Sequence, residues 1–353
     1  MKKSVYLGFV LMITVLLAGG IALAATMDGT SSNETLEGTN GDDTLKGWSG
    51  SDKMYGLDGV DTMYGHSGND MPMSGDLGND RMYGGGDSDE MRGVDGEDTL
   101  NGGEAADMLD GGDGADTIEG RFGDDMLDGG EGADVMNGGD ENDTLYGQGG
   151  MDNMSGGGGK DLLEGHTDND LIYGESKGFV DDGMAVVSFV DTIYGNEGKD
   201  TMYGQVGNDE IHGNGADDTL YGGEGDDKMY GDDANVSGGG NDYMAGGLGN
   251  DTMYAGTRST SADGGDSVYG DKGADVIYGD LGATSISGGP GKDEIHGGEA
   301  QRVSIYAQDG EQDTIYCESG LETLQVDVTD TLLPSKTECG AHLVDPASTL
   351  PNP

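Results

Sequence analysis

From residue 34 to residue 324 the chain repeats one short phrase: a large apolar residue, a polar or small residue on either side, then glycines. Leu45, Met54 and Met63 stand nine apart. So do Met82, Met91, Leu100, Leu109, Ile118, Leu127, Met136, Leu145, Met154, Leu163 and Ile172. The series resumes with Ile193, Met202, Ile211, Leu220 and Met229, and Met244 follows. An isolated apolar residue with outward-facing neighbours is the alternation of a minimal strand, not the three-and-four spacing of a helix face. A fixed nine-residue period over this length points to a stacked array rather than one packed core. The pattern therefore predicts an all-β solenoid.

Two residues before nearly every apolar position stands an aspartate. The first run is Asp43, Asp52, Asp61 and Asp70. After one inserted residue it continues as Asp80, Asp89, Asp98, Asp107, Asp116, Asp125, Asp134, Asp143, Asp152, Asp161 and Asp170. It resumes at Asp191, Asp200, Asp209, Asp218 and Asp227, then in pieces at Asp242, Asp251, Asp266, Asp275, Asp293 and Asp313. Glu34, Thr284 and Glu322 hold the same phase in weaker copies. Glycines fill the gap, as in Gly129-Gly130-Glu131-Gly132-Ala133-Asp134-Val135-Met136-Asn137, so the unit reads G-G-x-G-x-D-x-U-x with U a large apolar residue. Such glycines supply positive φ and let the backbone approach a ligand closely.

This unit resembles the RTX (hemolysin-type) calcium-binding repeat family, over roughly Glu34 to Leu324. The resemblance implies a right-handed parallel β-roll in which two nonapeptides make one turn and place two short sheets face to face. It implies that the aspartates named above, with loop carbonyls, hold several Ca2+ ions between stacked loops. Hard oxygen donors in that number are what calcium takes. One buried apolar side chain per nine ordered residues is little burial to offset the conformational entropy. Metal binding is the missing favourable contribution, so the chain is expected to be expanded without calcium and to fold with it.

Charge and composition sharpen this picture. The 353 residues carry a formal net charge of -54, and 73 of them are glycine. Such acidity excludes nucleic acid and anionic membrane surfaces as partners, since both demand basic patches. Met1-Lys2-Lys3, the apolar run Val5 to Leu17 and Ala22-Leu23-Ala24 read as a secretory signal peptide over residues 1–25, cut before Ala25. An uncleaved anchor is the competing reading, for which the apolar run is short. Loss of Lys2 and Lys3 takes the charge from -54 to -56. No later apolar stretch is long enough to insert in a membrane. The only two cysteines, Cys317 and Cys339, read as one disulfide in an oxidising compartment.

Signals for catalysis are poor. His66, His166, His212, His296 and His342 are scattered, without a zinc-protease spacing or a nucleophile elbow. Gly156 to Lys160 begins like a phosphate loop, but Asp161 stands where Ser or Thr is required. No enzyme is expected. Outward positions show recurrent Thr, such as Thr62, Thr99 and Thr201, and recurrent Tyr, such as Tyr64, Tyr203 and Tyr254. These read as cross-strand stacking. The rival, a flat glycan-, surface- or ice-binding rank, is broken by Lys53, Arg81, Glu90, Asn153 and Lys228.

The expected organisation is a linker over 26–33, a first roll segment over 34–174, an insertion over 175–190 and a second segment over 191–326. That second segment is interrupted near 232–240, 255–264 and 299–304, and a cap and tail follow over 327–353. The role expected is a secreted, calcium-dependent structural or surface-interaction protein, its partner an extracellular glycan, matrix or cell-surface component. The alternatives are an accessory module of a secreted hydrolase or toxin system, or an extracellular calcium buffer.

Overall fold

A computed structural model describes residues 24–175, 190–232, 240–256, 265–280, 283–298, 303–316, 321–327 and 329–333. Among these residues there are thirty-two strands, β1 (Thr26–Asp28) to β32 (Thr331–Leu333), and no helix. Odd-numbered strands form one parallel 16-stranded sheet and even-numbered strands a second. Alternate repeats thus go to opposite sheets, and the register steps by two repeats: Thr44 pairs with Thr62, and Lys53 sits opposite Thr35. The all-β solenoid expected from the nine-residue period, and the parallel roll implied by the resemblance, are the observed architecture.

Most strands run to six residues rather than three. In β4 (Lys53–Asp58) the burial alternates through Met54 and on to Gly56, so three successive inward positions are Asp52, Met54 and Gly56. The apolar column is complete: Leu45, Met54, Met63, Met82 and Leu100 are all 0% exposed. Met73 also lies in this column, because the inserted residue of the first run is taken up at Met71-Pro72, inside the rung rather than in a loop.

Glycine has two separate jobs here. Gly50 has φ +115°, and a Cβ added there would stand 2.8 Å from the Ser32 carbonyl carbon one turn away. That loop position is closed to side chains by both conformation and space. Two residues earlier the backbone is also left-handed, yet it carries Trp48 (φ 71°), as Val94 (φ 90°) and Arg121 (φ 86°) do in other turns. Repetition of the fold imposes the conformation whether or not glycine is present.

Pairing in the regular register also reaches into both end segments. Residues 26–33, read as a linker, contain β1, which pairs with β3 (Thr44–Ser49) in the regular register. Within the segment read as a cap, β32 adds another rung by pairing Thr331 with Thr314. Most of the 175–190 insertion lies outside the described residues, as do Cys317, Cys339, His342 and residues 1–23. The insertion leaves the register intact, since Leu162 pairs with Thr192 across it.

Candidate metal-binding corners

Each turn of the solenoid has two corners, and each corner is led by an anchor aspartate. Asp43, Asp61, Asp80, Asp98, Asp116, Asp134, Asp152, Asp170, Asp200, Asp218, Asp242 and Asp266 precede strands of the first sheet. Asp52, Asp70, Asp89, Asp107, Asp125, Asp143, Asp161, Asp191, Asp209, Asp227, Asp251, Asp275, Asp293 and Asp313 precede strands of the second. All twenty-six are buried. The topology therefore sorts one sequence series into two parallel columns.

Within a column, each carboxylate is fixed by the turn before it. Asp61 Oδ1 accepts the Asp43 backbone N–H at 2.7 Å, and Asp218 Oδ1 accepts that of Asp200 at 2.9 Å. The second column does the same, as with Asp70 Oδ1 accepting from Asp52 N–H at 2.7 Å and Asp293 Oδ1 from Asp275 N–H at 3.0 Å. One oxygen of each side chain is thereby committed to structure.

The other oxygen points inward. Asp52 Oδ2 lies 2.5 Å from where a Cβ on Gly47 would stand, and the Gly65 carbonyl oxygen lies 3.0 Å from the same point. The first glycine of the repeat is therefore small for the sake of its own aspartate, not for its φ. From Asp52 to Asp313 the Oδ2 atoms are buried without a hydrogen-bond partner in nearly every turn; Asp61, Asp134 and Asp251 are examples. Native structures rarely leave buried acceptors in that state, let alone a whole column of them. Carboxylate and carbonyl oxygens facing one another call for a proton or a cation.

The buried setting shows in the titration of these groups. Burial, opposed by the backbone hydrogen bond and augmented by neighbouring carboxylates, pushes Asp61 and Asp134 up to about 6. The same causes push Asp89, Asp191 and Asp242 up to about 8 and Asp218 up to about 9. Oxygen-only, anionic and partly main-chain donors fit a hard divalent cation such as calcium. Among the described residues no group of three or more His, Cys, Asp or Glu side chains is placed to hold a metal ion by itself. An ion at a corner would therefore complete its shell with main-chain carbonyls.

Some participants escape the D-x-U reading. Asp330, buried, accepts the Asp313 N–H at 3.1 Å and extends the second column by one turn. Its signal was there in Asp330-Thr331-Leu332, masked by the loss of glycines around it. Glu34 fills the anchor place in the first turn, its carboxylate accepting from Thr30 N–H at 2.7 Å. A second polar rank lies one residue before the anchors. Asn142 N–H donates to Asp124 Oδ1 at 3.0 Å, and Lys160 N–H donates to Asn142 Oδ1 at 2.9 Å. The recurrent Asn-Asp and Asp-Asp pairs were its signal.

The first column stops early. Beyond Asp266 its place is taken by Ala283 and Val303, both buried, after register shifts in the pairing of β25 (Asp266–Lys272) with β27 (Ala283–Ser287) and of β29 (Val303–Ala307) with β31 (Leu321–Val326). A Cβ on Gly279 would meet Ile286 Cδ1 at 2.7 Å and Ala283 Cβ at 3.1 Å, with no carboxylate in the way. The side chains of Thr284 and Glu322 lie outside the described residues.

Outward residues stack. Tyr194, His212, Tyr230, Tyr254, Tyr278, His296 and Tyr316 form one column on the second sheet, with ring centroids 4.1–4.9 Å apart. His212 and His296 sit beside Glu210 and Glu294, at 3.6 and 2.9 Å. Cross-strand stacking accounts for this column, because each ring face is covered by its neighbour.

The RTX calcium-binding nonapeptide repeat (4 copies) family matches the chain in successive, mostly overlapping stretches from residues 28–63 through 278–300. No curated protein matches it.

Proposed function

Because the chain belongs to the RTX calcium-binding nonapeptide repeat family, we propose that it is a secreted protein whose β-roll folds as calcium fills its corners. The observation that carries this reading is the pair of columns of buried, unpartnered Asp Oδ2 atoms. In it, the twenty-six anchor aspartates are the carboxylate ligands, and the carbonyls of the first glycines of the repeats complete the shells; Asp330, whose two oxygens accept from Asp313 N–H and Asp327 N–H, closes the column without a free oxygen. Bound Ca2+ supplies the positive charge that an acidic, thin-cored chain lacks. Calcium affinity then becomes folding free energy.

The basic start, the apolar run and the small residues at 22–24 support export. Outside the cell the folded roll serves as a structural or surface-interaction element without chemistry of its own. Circular dichroism with calcium and with a chelator tests the core of the proposal. A β spectrum should be present only with calcium, and an unchanged spectrum after chelation would overturn it. Isothermal titration should count many ions per chain. Sizing of the product exported from a bacterial host tests cleavage before Ala25.

A further inference from the structure

Sorting the repeats into two sheets exposes something the linear order hides. On the first sheet the last charged outward residue of the two columns flanking the apolar one is Glu119, on β11 (Thr117–Phe122). From β13 (Val135–Asp140) to β29 those columns contain no Asp, Glu, Lys or Arg. Their registers run Val135–Asn153–Leu171–Thr201–Thr219–Tyr243–Ser267–Ser285–Ser304 and Asn137–Ser155–Tyr173–Tyr203–Tyr221–Ala245–Tyr269–Ser287–Tyr306. The second sheet keeps Glu164, Glu210, Lys228 and Glu294 over the same stretch. In a chain of net charge -54, a flat uncharged strip of hydroxyls and phenol rings needs a reason.

Two grooves lie on that strip. One, of about 350 Å³, is lined by Tyr203, Gln205, Tyr221 and Glu224 among others; the second, of about 510 Å³, by Tyr306, Gln308, Gln325 and Asp309 among others. Both combine phenol rings with carboxamides, and in each a single carboxylate marks the acidic margin just outside the two uncharged columns. Tyr173, Tyr203 and Tyr221 stack at 5.0 and 4.8 Å, presenting their edges outward. Ala245 interrupts that column, and Tyr243, in the neighbouring column, leans across the gap: it is tilted by 52° to Tyr221 and 35° to Tyr269 and is 38% exposed. A ring turned this way offers part of its face to a ligand.

We infer that this uncharged face of the first sheet docks a neutral polysaccharide laid along the solenoid axis. Charge selects the class. An anionic polymer is repelled by the acidic flanks, a polycation would be held at those flanks instead, and an apolar partner would leave the hydroxyls unpaired. A neutral polyol finds donors and acceptors in Ser, Thr, Tyr and Gln, and an apolar sugar face finds Tyr243. The ring repeat along the axis is close to the length that one pyranose adds to an extended β-linked chain, so successive rungs can meet successive sugars. The inference rests on the calcium-folded, exported reading above.

The experiment is co-sedimentation of the full chain, in calcium and in chelator, with microcrystalline cellulose, chitin and insoluble β-1,3-glucan, and affinity electrophoresis in alginate as the anionic comparison. Each sample is checked by circular dichroism. Retention on at least one neutral polymer in calcium is expected, weakened about tenfold in Thr201→Asp/Thr219→Asp and unchanged in Thr252→Asp on the second sheet. Equal loss in both variants, or binding to alginate alone, overturns the face. A calcium-induced β spectrum without retention overturns the face and leaves the calcium reading standing. Retention in chelator and calcium alike, still lost in Thr201→Asp/Thr219→Asp, keeps the face and overturns calcium folding. Neither spectrum nor retention overturns both.

Discussion

The two corners of the solenoid begin alike and end differently. The corner leading into the second sheet keeps its aspartate from Asp52 to Asp330. The corner leading into the first keeps it from Asp43 to Asp266, then substitutes Ala283 and Val303. Where the carboxylate goes, apolar atoms fill the same space: Ile286 Cδ1 approaches Gly279, and Ile305 Cδ1 approaches Gly297 at 3.2 Å from a virtual Cβ. The same backbone thus accepts either a carboxylate or a hydrocarbon corner. Hydrocarbon filling needs no counterion, because it leaves no buried acceptor unpaired.

Removal of calcium should have the largest effect and should separate the corners most clearly. Hydrogen exchange during a chelator titration should show protection lost first in turns with two carboxylate corners, such as Thr44 to Glu175. It should be lost last between Val276 and Tyr316. Uniform loss would show that the two kinds of corner are energetically alike.

pH should come next. The anchor carboxyls titrate higher in the folded chain, near 6 for Asp61 and near 9 for Asp218, chiefly through burial. Such groups favour the fold below their ordinary range near 4 and lose that contribution as pH rises through about 6 to 9. Without calcium, acidification should therefore raise the β signal, while in calcium the apparent affinity should fall as pH drops from 9 to 6. Circular dichroism and calcium titration across that window check both signs.

Single substitutions sharpen the contrast further. Asp218→Ala leaves the Asp200 N–H without its acceptor and should cost about 1–3 kcal/mol, besides lowering the ion count. Ala283→Asp puts an unpaired carboxyl against Ile286 and should cost about 1–3 kcal/mol without adding an ion. Thermal melts at fixed calcium read both. Tyr254→Ala removes two stacks with ring centroids 4.9 Å apart, away from both corners, and should cost about 0.5–1.5 kcal/mol per lost pair with calcium stoichiometry unchanged.

Much of this was legible in the residues. The D-x-U spacing picked out the buried columns because aspartate, apolar residue and first glycine share one inward parity, and the resemblance implied a register of two repeats. Where glycines vanished the reading weakened, so Asp330 went unnoticed. Strands β1, within 26–33, and β32, beyond 327, carried little signal for a related reason: short strands at an array's ends owe their pairing to the neighbouring rung.

Composition and period alone thus determined that the chain stacks and that the apolar residue of each repeat faces inward. Only the tertiary structure decided which outward and corner positions line up in one column. Consecutive repeats lie on opposite sheets, so a charge at Lys53 or Glu210 interrupts the sequence pattern but not the face carrying Tyr203 and Tyr221. Likewise the loss of Asp after Asp266 looks like scattered decay along the chain. In space it falls on a single corner, because a solenoid converts every second repeat into a column.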